Sequence, residues 1–304
     1  MIGNLRLVIC CRKIWVRVSM IGHGLWRALM DRYKIVTHAY PDVDALCSVW
    51  LLKRFGGKRY EKADVVFVSH GETYHGMEVD SDQRVIHVDT GGGRFDHHDS
   101  NAYICASQIV LESLGVDDEA LERIVTYVNA IDHFDDVAWH KPLSDLYDTT
   151  LAEMLAGVIM SHGKDDDVLV DWALMCFDGV YQSLKIKLSA IETVRDFGLE
   201  IHSSKGVMLA VQTFNDDVIR VGLKMGYVLV LRRDPLKKYV RIKAHPYADI
   251  NLKYLYTKLS ALDPEATWIL HADKKQLLNG SSKDPDRVVT ELEFEDIVEE
   301  LRRL

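Results

Sequence analysis

Histidine and aspartate residues follow the ends of the predicted strands in the first half of the chain. His38 ends the first strand and Asp89 ends the third. In an open parallel sheet, ligands bind outside the carboxyl ends of neighbouring strands. The predicted ligand set consists of His38, Asp42, Asp44, Asp89, His97 and Asp132. Imidazole together with carboxylate favours Mn, Zn or Fe, whereas Mg and Ca favour oxygen ligands alone.

This set is large enough for two metal ions. Two ions held ~3.5–4 Å apart need at least one bridging carboxylate and several terminal ligands. Taken alone, each feature also has a structural interpretation. His38 is consistent with a core histidine, Asp42 with a charge at a helix N-terminus, and Gly91–Gly93 with a tight turn. His97 with His98 is consistent with a surface pair, and Asp132 with Asp135 and Asp136 with a solvated helix face. The combination of all the features favours a site, while Asp135 and Asp136 are assigned to the solvated face.

Strands and helices alternate from residue 31 onwards, which predicts an α/β domain with a doubly wound, mostly parallel sheet. A helix begins after Pro41 and ends near Gly56, since proline favours the first turn and glycine follows the last. The other predicted elements of this region are strands Lys34–His38, Asp64–Ser69 and Arg84–Asp89, helices Asn101–Leu114 and Asp117–Asp135, and a long helix from about Asp165 to Phe197.

After Gly198 a second, smaller α+β domain is predicted. Its strands are Val207–Gln212, Tyr227–Leu231, Tyr239–Lys243 and Thr267–His271, and its helices are Asp216–Gly222 and Leu252–Ser260. The predicted organisation is therefore an extension over residues 1–30, a metal-binding domain with a connector helix over residues 31–198, and a substrate-binding domain over residues 199–304.

The motifs of the first domain resemble those of the DHH phosphoesterase superfamily. They are HAYPDVDA (38–45), VDTGG (88–92), FDHH (95–98) and IDHFDD (131–136), within residues 34–136. The superfamily includes RecJ-type exonucleases, oligoribonucleases, manganese pyrophosphatases and exopolyphosphatases. The segments YVNAIDHFDD and TWILHADKK also resemble the melanocyte-proliferating-gene branch.

The resemblance implies roles for individual residues. Asp89 bridges two divalent ions, with Mn²⁺ favoured and Mg²⁺ as the alternative. His38 and Asp42 complete one site, and Asp44, His97 and Asp132 complete the other. Asp96 orients His97, while His98 faces the scissile phosphate. The implied reaction is attack on phosphorus by a metal-activated water.

The second domain departs from the superfamily, because no G-G-G-H loop is present. Two replacements are candidates for substrate binding, and each is also consistent with an ordinary surface feature. The first is the turn Asn279, Gly280, Ser281, Ser282 and Lys283, whose N–H groups and lysine suit a phosphate. The second is the pair Arg241 and Lys243, which share one face of an alternating strand.

Composition and charge restrict the class of protein. The chain has 304 residues, 48% hydrophobic and 27% charged, and no apolar run long enough to span a bilayer. Five cysteines without a CxxC pair favour a reducing, cytoplasmic compartment. Residues 31–204 hold 31 acidic and 15 basic residues. Such a domain repels a phosphate backbone unless cations intervene, which argues against long duplex DNA as a partner.

Residues 1–30 contain five basic residues and no acidic residue. Three interpretations remain: translation that starts later, at Met20 or Met30, a mitochondrial or other organellar targeting segment, and an additional helix. The later start is favoured, and residues 1–29 are expected to be dispensable for folding.

Three functions fit the sequence. The favoured one is a metal-dependent phosphoesterase that hydrolyses phosphodiester bonds of short oligonucleotides or small nucleotides. The alternatives are an inorganic pyrophosphatase or exopolyphosphatase, and a non-catalytic protein that binds metal or nucleotide. No membrane partner and no particular oligomeric state are predicted.

Overall fold

The computed structural model describes residues 32–163 and 165–304. The chain divides into two compact units between Tyr181 and Gln182, within one long helix. Both units combine strands with helices, which confirms the predicted α/β class. The predictions for residues 1–30 lie outside the described residues, and the domain boundary after residue 198 stays a prediction.

The described part of the first unit contains a parallel sheet of three strands in the order β2–β1–β3. The strands are β1 (Lys34–His38), β2 (Asp64–Val68) and β3 (Val85–His87). Because β1 pairs on both sides, its interior residues Ile35 and Val36 are fully buried. Val36 pairs with His87, so the carboxyl ends of β1 and β3 lie side by side.

Helices follow these strands. In the described residues they are α1 (Val43–Phe55), α2 (Lys58–Glu61), α3 (Ala106–Leu114), α4 (Glu119–Asp132), α5 (Leu151–His162) and α6 (Asp166–Phe197), with short 3₁₀ turns at Tyr74–Gly76, Asp135–Ala138 and Tyr147–Thr149. None of the helices in the described part of the chain is both long and apolar enough to cross a bilayer.

Helix α1 is buried along most of its length, from Val43 to Leu52. At its start, Asp42 accepts a hydrogen bond from the N–H of Ala45 at 2.9 Å, which satisfies one of the unpaired donors of the first turn. Further along, the buried ring of Trp50 stacks on Phe177 of α6 with ring centroids 5.3 Å apart. These contacts hold α1 in place, and with it the residues that follow β1.

The predicted ends of two helices are wrong. Helix α3 begins at Ala106 instead of Asn101, because the carboxylate of Asp44 accepts hydrogen bonds from the N–H groups of Ala106 and Ser107. Helix α4 ends at Asp132 instead of Asp135, and Phe134 then adopts a left-handed conformation with φ +59°.

The second unit contains a mixed sheet in the order β4–β5–β6–β7–β9–β8. Its described elements are β4 (Leu199–Ser203), β5 (Gly206–Gln212), β6 (Leu229–Arg233), β7 (Val240–Ala244), β8 (Trp268–Leu270), β9 (Gln276–Asn279), α7 (Asp217–Lys224), α8 (Lys253–Leu262) and α9 (Phe294–Arg302). Side chains alternate along β5, with Met208 in one apolar cluster and Leu209 in another. Both faces of the sheet are therefore covered.

Three elements of this unit were not predicted: β4, β9 and α9. Helix α9 had a readable signal, because Phe294, Ile297, Val298 and Leu301 follow helical spacing. Glu293 and Asp296 also form a capping box at its start.

Candidate metal centre

The six predicted ligands lie together at the carboxyl end of the three-stranded sheet. His38 is the last residue of β1, and Asp132 is the last residue of α4. Among the described residues, three groups could each hold a metal ion, with ligand atoms within 4.8 Å of one another. The groups are His38, Asp42 and Asp89; Asp89, His97 and His98; and Asp44, His97 and Asp132. His98 thus joins the six as a further candidate ligand.

Asp89 lies between two histidines. Its Oδ2 is 3.2 Å from Nε2 of His38, and its Oδ1 is 3.4 Å from Nε2 of His97. The residue is only 2% exposed, so both interactions are shielded from solvent. Each carboxylate oxygen therefore faces a different candidate ligand, as expected of a residue shared by two ions.

The backbone at Asp89 is unusual for a residue with a side chain. Its φ is +54°, in the left-handed region that costs a non-glycine residue free energy. Its N–H donates to the carbonyl of Phe95 at 2.9 Å. Gly91 and Gly92 also have positive φ, so the glycine run forms a tight turn. This turn returns the chain to Asp89 and places the following His97 beside it.

His97 also faces the carboxylates of the third group. Its Nε2 is 3.8 Å from Oδ2 of Asp44 and 3.6 Å from Oδ2 of Asp132. Asp44 has a structural role as well, because its two oxygens accept the N–H groups of Ala106 at 2.7 Å and Ser107 at 2.9 Å. A single buried carboxylate therefore both anchors the start of α3 and faces the candidate metal site.

Both histidines that face Asp89 are basic when no metal is bound. Burial lowers the pKa of His38, but the hydrogen bonds to Asp89 and to the carbonyl of Ala39, together with the charges of Asp42 and Asp89, outweigh it and the pKa rises to about 9. The interaction with Asp89 likewise raises the pKa of His97 to about 9, against the effect of burial. A metal ion that binds at neutral pH must therefore displace protons.

Burial and mutual repulsion disfavour the charged forms of the carboxylates at this site. Burial, together with the charge of Asp89, raises the pKa of Asp44 to about 7. Burial also raises the pKa of Asp132. The candidate ligands comprise four carboxylates and three imidazoles, and a divalent cation would relieve the repulsion among the carboxylates.

The buried polar atoms of the site fit a metal ion. Within the described part of the chain, Oδ1 of Asp89 and Nε2 of His97 are buried and lie 3.4 Å apart, and neither makes a hydrogen bond of good geometry. Leaving such a group unsatisfied costs ~1–3 kcal/mol. Coordination of one ion by both atoms would remove this cost, and the mixture of nitrogen and oxygen ligands suits Mn²⁺.

The role predicted for Asp96 is wrong. Its Oδ1 accepts a hydrogen bond from Nδ1 of His98 at 2.6 Å, so it orients His98 instead of His97. Its Oδ2 accepts the N–H of Gly92 at 2.7 Å, which ties it to the glycine turn. Because Nδ1 of His98 carries the donated proton, Nε2 of the neutral ring is an acceptor, and it becomes a donor only when the ring takes up a second proton.

Sequence reasoning did not identify the aromatic neighbours of the site. The ring of His70 lies 5.6 Å from that of His38 and 4.9 Å from that of His98. His70 follows β2, so the rule applied to the ends of β1 and β3 would have indicated it.

The assignment of Asp135 to a solvated helix face also needs correction: Asp135 is exposed, but it lies in a 3₁₀ turn and accepts a hydrogen bond from the hydroxyl of Tyr103.

The substrate-binding candidates of the second unit differ in burial and in hydrogen bonding. Asn279 is buried, and its side chain bonds the carbonyls of Thr267 and Val288 and the N–H of Thr290. Its side-chain amide is therefore fully used within the fold, whereas the binding of a phosphate by the backbone N–H groups of this turn stays a prediction. Gly280 has φ +70° and is packed against the ring of Tyr239.

The remaining candidates of this turn and strand are more accessible. Ser282 and Lys283 are exposed, Ser281 and Lys243 are half-buried, and Oγ of Ser281 accepts the N–H of Lys283 at 3.1 Å. Arg241 is half-buried, and its guanidinium donates to backbone carbonyls that include that of Gly280 at 2.8 Å. Their role in substrate binding stays a prediction.

Comparisons with known proteins give weak similarities. Residues 35–184, just under half of the chain, match the family described as the ChrB C-terminal domain. None of the curated proteins matches. One similar solved structure is a DHH domain described as belonging to a family of ribosomal proteins, with 12% identity and a TM-score of 0.31 over 96% of this chain and 93% of that one. Another is an exopolyphosphatase-related protein from Bacteroides fragilis, with 12% identity and a TM-score of 0.25 over 98% of this chain and 97% of that one. Similarity of this size does not establish an activity.

Proposed function

We propose that the first unit is a divalent-metal-dependent phosphoesterase of the DHH type. The observation that carries the proposal is the position of Asp89, whose two oxygens face His38 and His97 separately. The order of the motifs around these residues supports it, because a bridging carboxylate, terminal ligands and a tandem histidine occur in the DHH pattern.

Two ions, with Mn²⁺ favoured, would be held by the six predicted ligands. Asp89 would contact both ions, His38 and Asp42 would complete one site, and Asp44, His97 and Asp132 the other. Bound ions would supply Lewis-acid chemistry and lower the pKa of water. The acidic residues would then not repel an anionic substrate, since their charge would be neutralised locally.

His98 is the residue best placed to handle a proton. Its side chain is 41% exposed, whereas those of His38 and His97 are 9% and 13% exposed. Asp96 fixes its Nδ1, and when the ring carries a second proton Nε2 can donate to a phosphate oxygen or to the leaving group. Asp96 is thus a positioning residue for His98 in this proposal.

The proposed substrates are short oligonucleotides or small nucleotides. The test uses the full chain, stripped with a chelator and reloaded with Mn²⁺, against pyrophosphate, a 3′-phospho-nucleotide bisphosphate, cyclic dinucleotides and a labelled RNA dinucleotide. Hydrolysis of a nucleotide substrate that depends on Mn²⁺ is the expected result. A protein that binds metal but hydrolyses none of these compounds would contradict the proposal.

The Asp89→Asn variant is the decisive control for the site. Asparagine removes the charge that two cations would share, so both ions should bind more weakly and turnover should fall by several orders of magnitude. The matched variant Asp148→Asn changes an exposed aspartate in a 3₁₀ turn and should keep metal content and turnover. If Asp89→Asn retains two ions and near-normal turnover, the site assignment is wrong.

A further inference from the structure

A cavity opens beside the candidate metal centre, within the first unit. Its volume is about 440 Å³, within the ~300–1,000 Å³ typical of small-molecule sites. Three candidate ligands, Asp42, Asp44 and Asp132, form part of its wall. A molecule in the cavity would therefore touch the residues that are proposed to hold the metal ions.

The rest of the wall is largely apolar. It includes Val43 from α1, Val128 and Ile131 from α4, and Leu155 and Ile159 from α5. Among the described residues that line it, the polar side chains are the three candidate ligands and Tyr40. Inorganic phosphate gains nothing from such a surface, since an anion loses water there without hydrogen bonds in return.

Two aromatic residues complete the lining, and both are exposed. The relative exposure of Tyr40 is 54% and that of Phe134 is 75%. Tyr40 lies between His38 and Asp42 in the chain, and Phe134 follows Asp132 by two residues. Exposed rings on both segments that carry candidate ligands suit a planar partner, because aromatic rings stack on nucleobases of any sequence.

The backbone holds both aromatic residues in a costly conformation. Their φ values are +57° for Tyr40 and +59° for Phe134, a region that bulky side chains rarely adopt. Hydrogen bonds fix each residue there: the N–H of Tyr40 donates to Asp166 at 3.2 Å, and that of Phe134 donates to Ile131 at 3.1 Å. Strain of this kind at ligand-bearing segments is typical of functional sites.

We infer that this cavity is a nucleobase subsite, formed by Tyr40, Phe134 and the apolar wall. The inference rests on the proposed function and narrows it, because it favours nucleotide phosphoesters over pyrophosphate or polyphosphate. The phosphate lies at the metal centre and the base packs against Tyr40 and Phe134. Since the wall offers few groups that could read the edge of a base, discrimination between bases is weak.

Equilibrium binding tests the subsite without turnover. The ligands are adenosine 5′-phosphate and ribose 5-phosphate, which share the phosphate and the sugar and differ in the base, titrated calorimetrically into the Mn²⁺-loaded full chain. We expect adenosine 5′-phosphate to bind roughly tenfold more tightly. Uridine 5′-phosphate should bind within about an order of magnitude of it. Equal affinities for the adenosine and ribose phosphates would overturn the inference.

Variants then locate the base. Phe134→Ala and Tyr40→Ala should each remove most of the preference for adenosine 5′-phosphate and leave the affinity for ribose 5-phosphate unchanged. Phe134→Leu keeps apolar bulk without an aromatic face and should fall in between. The control Tyr247→Ala removes an exposed aromatic ring from the second unit and should change neither affinity. A preference that survives both alanine variants would also overturn the inference.

Failure of the proposed function gives a different experimental result from failure of the subsite. If the chain binds adenosine 5′-phosphate through Phe134 but hydrolyses no phosphoester, the nucleobase subsite is supported and the phosphoesterase function is contradicted. If the chain hydrolyses pyrophosphate and shows no base preference, the phosphoesterase function is supported and the nucleobase subsite is contradicted.

Discussion

Asp96 accepts a hydrogen bond from Nδ1 of His98 at 2.6 Å. The resemblance to the DHH superfamily implies that Asp96 orients the neighbouring His97, and the two arrangements have different consequences. A carboxylate behind His97 would support a metal ligand, whereas a carboxylate behind His98 would, in the proposed function, position the more exposed imidazole toward the substrate.

The variant Asp96→Asn separates these possibilities. The structure predicts a ~10- to 100-fold lower kcat with two metal ions still bound, because His98 loses its orientation while His97 keeps Asp89 and Asp132. Steady-state kinetics measure kcat, and elemental analysis counts the bound metal ions. A thermal melt checks whether loss of the hydrogen bond that the N–H of Gly92 donates to Asp96 destabilises the fold. If Asp96→Asn instead loses one metal ion, and the fraction that keeps both ions has a nearly unchanged kcat, the result would favour an Asp96 that orients His97.

Asp44 should affect folding even without metal. In Asp44→Ala the N–H groups of Ala106 and Ser107 lose their acceptors at the start of α3. We expect the free energy of unfolding in chelator to fall by about 1–2 kcal/mol. The matched variant is Asp132→Ala, which removes a carboxylate that faces His97 and His133. Urea denaturation in chelator should show a smaller loss for Asp132→Ala, and equal losses would contradict the anchoring role.

Metal affinity and stability should depend on pH in opposite ways. The pKa of both His38 and His97 is raised from 6.5 to about 9 in the metal-free protein. Mn²⁺ must displace these protons, so its apparent affinity should increase between pH 6.5 and 9 and binding should release protons. Calorimetry in buffers of different ionisation enthalpy measures that release, and no release at pH 7.5 would contradict the assignment.

The same pKa values predict how metal-free stability changes. Protonated His38 and His97 pair with Asp89, and this stabilisation is complete below pH 6.5 and lost as the pH rises through 9. The melting temperature of the chelated protein should therefore fall across this window. The Mn²⁺-loaded protein should resist the change, because bound metal stabilises the folded state.

Arg241 should matter for stability more than for substrate affinity. Its Nη1 donates to the carbonyls of Val240 at 2.9 Å, Asn279 at 3.1 Å and Gly280 at 2.8 Å. Arg241→Ala removes these three hydrogen bonds, and a loss of about 1–2 kcal/mol of unfolding free energy is expected. Lys243→Ala, on the same face of β7, is the matched variant. A raised KM with unchanged stability for Arg241→Ala would instead support the predicted substrate-binding role of Arg241.

The candidate ligand set was accessible from the sequence because strand ends are local features. His38 and Asp89 each follow an apolar run, and parallel strands bring their carboxyl ends to one edge. The long helix α6 was predicted for a similar reason, since its pattern continues from about Asp165 to Phe197. In both cases residues near one another in the chain carried the information.

Tertiary structure alone decided which groups interact. Asp44 reaches Ala106, Asn279 reaches Thr290, and Tyr40 and Phe134 line one cavity from two distant segments. No local pattern encodes these pairings, because they depend on how helices pack against the sheet. Even Asp96, two residues from His98, was assigned to the wrong imidazole. The sequence by itself determined the chemical types at the site and the elements that carry them, whereas the directions of the side chains were set by backbone torsions and packing.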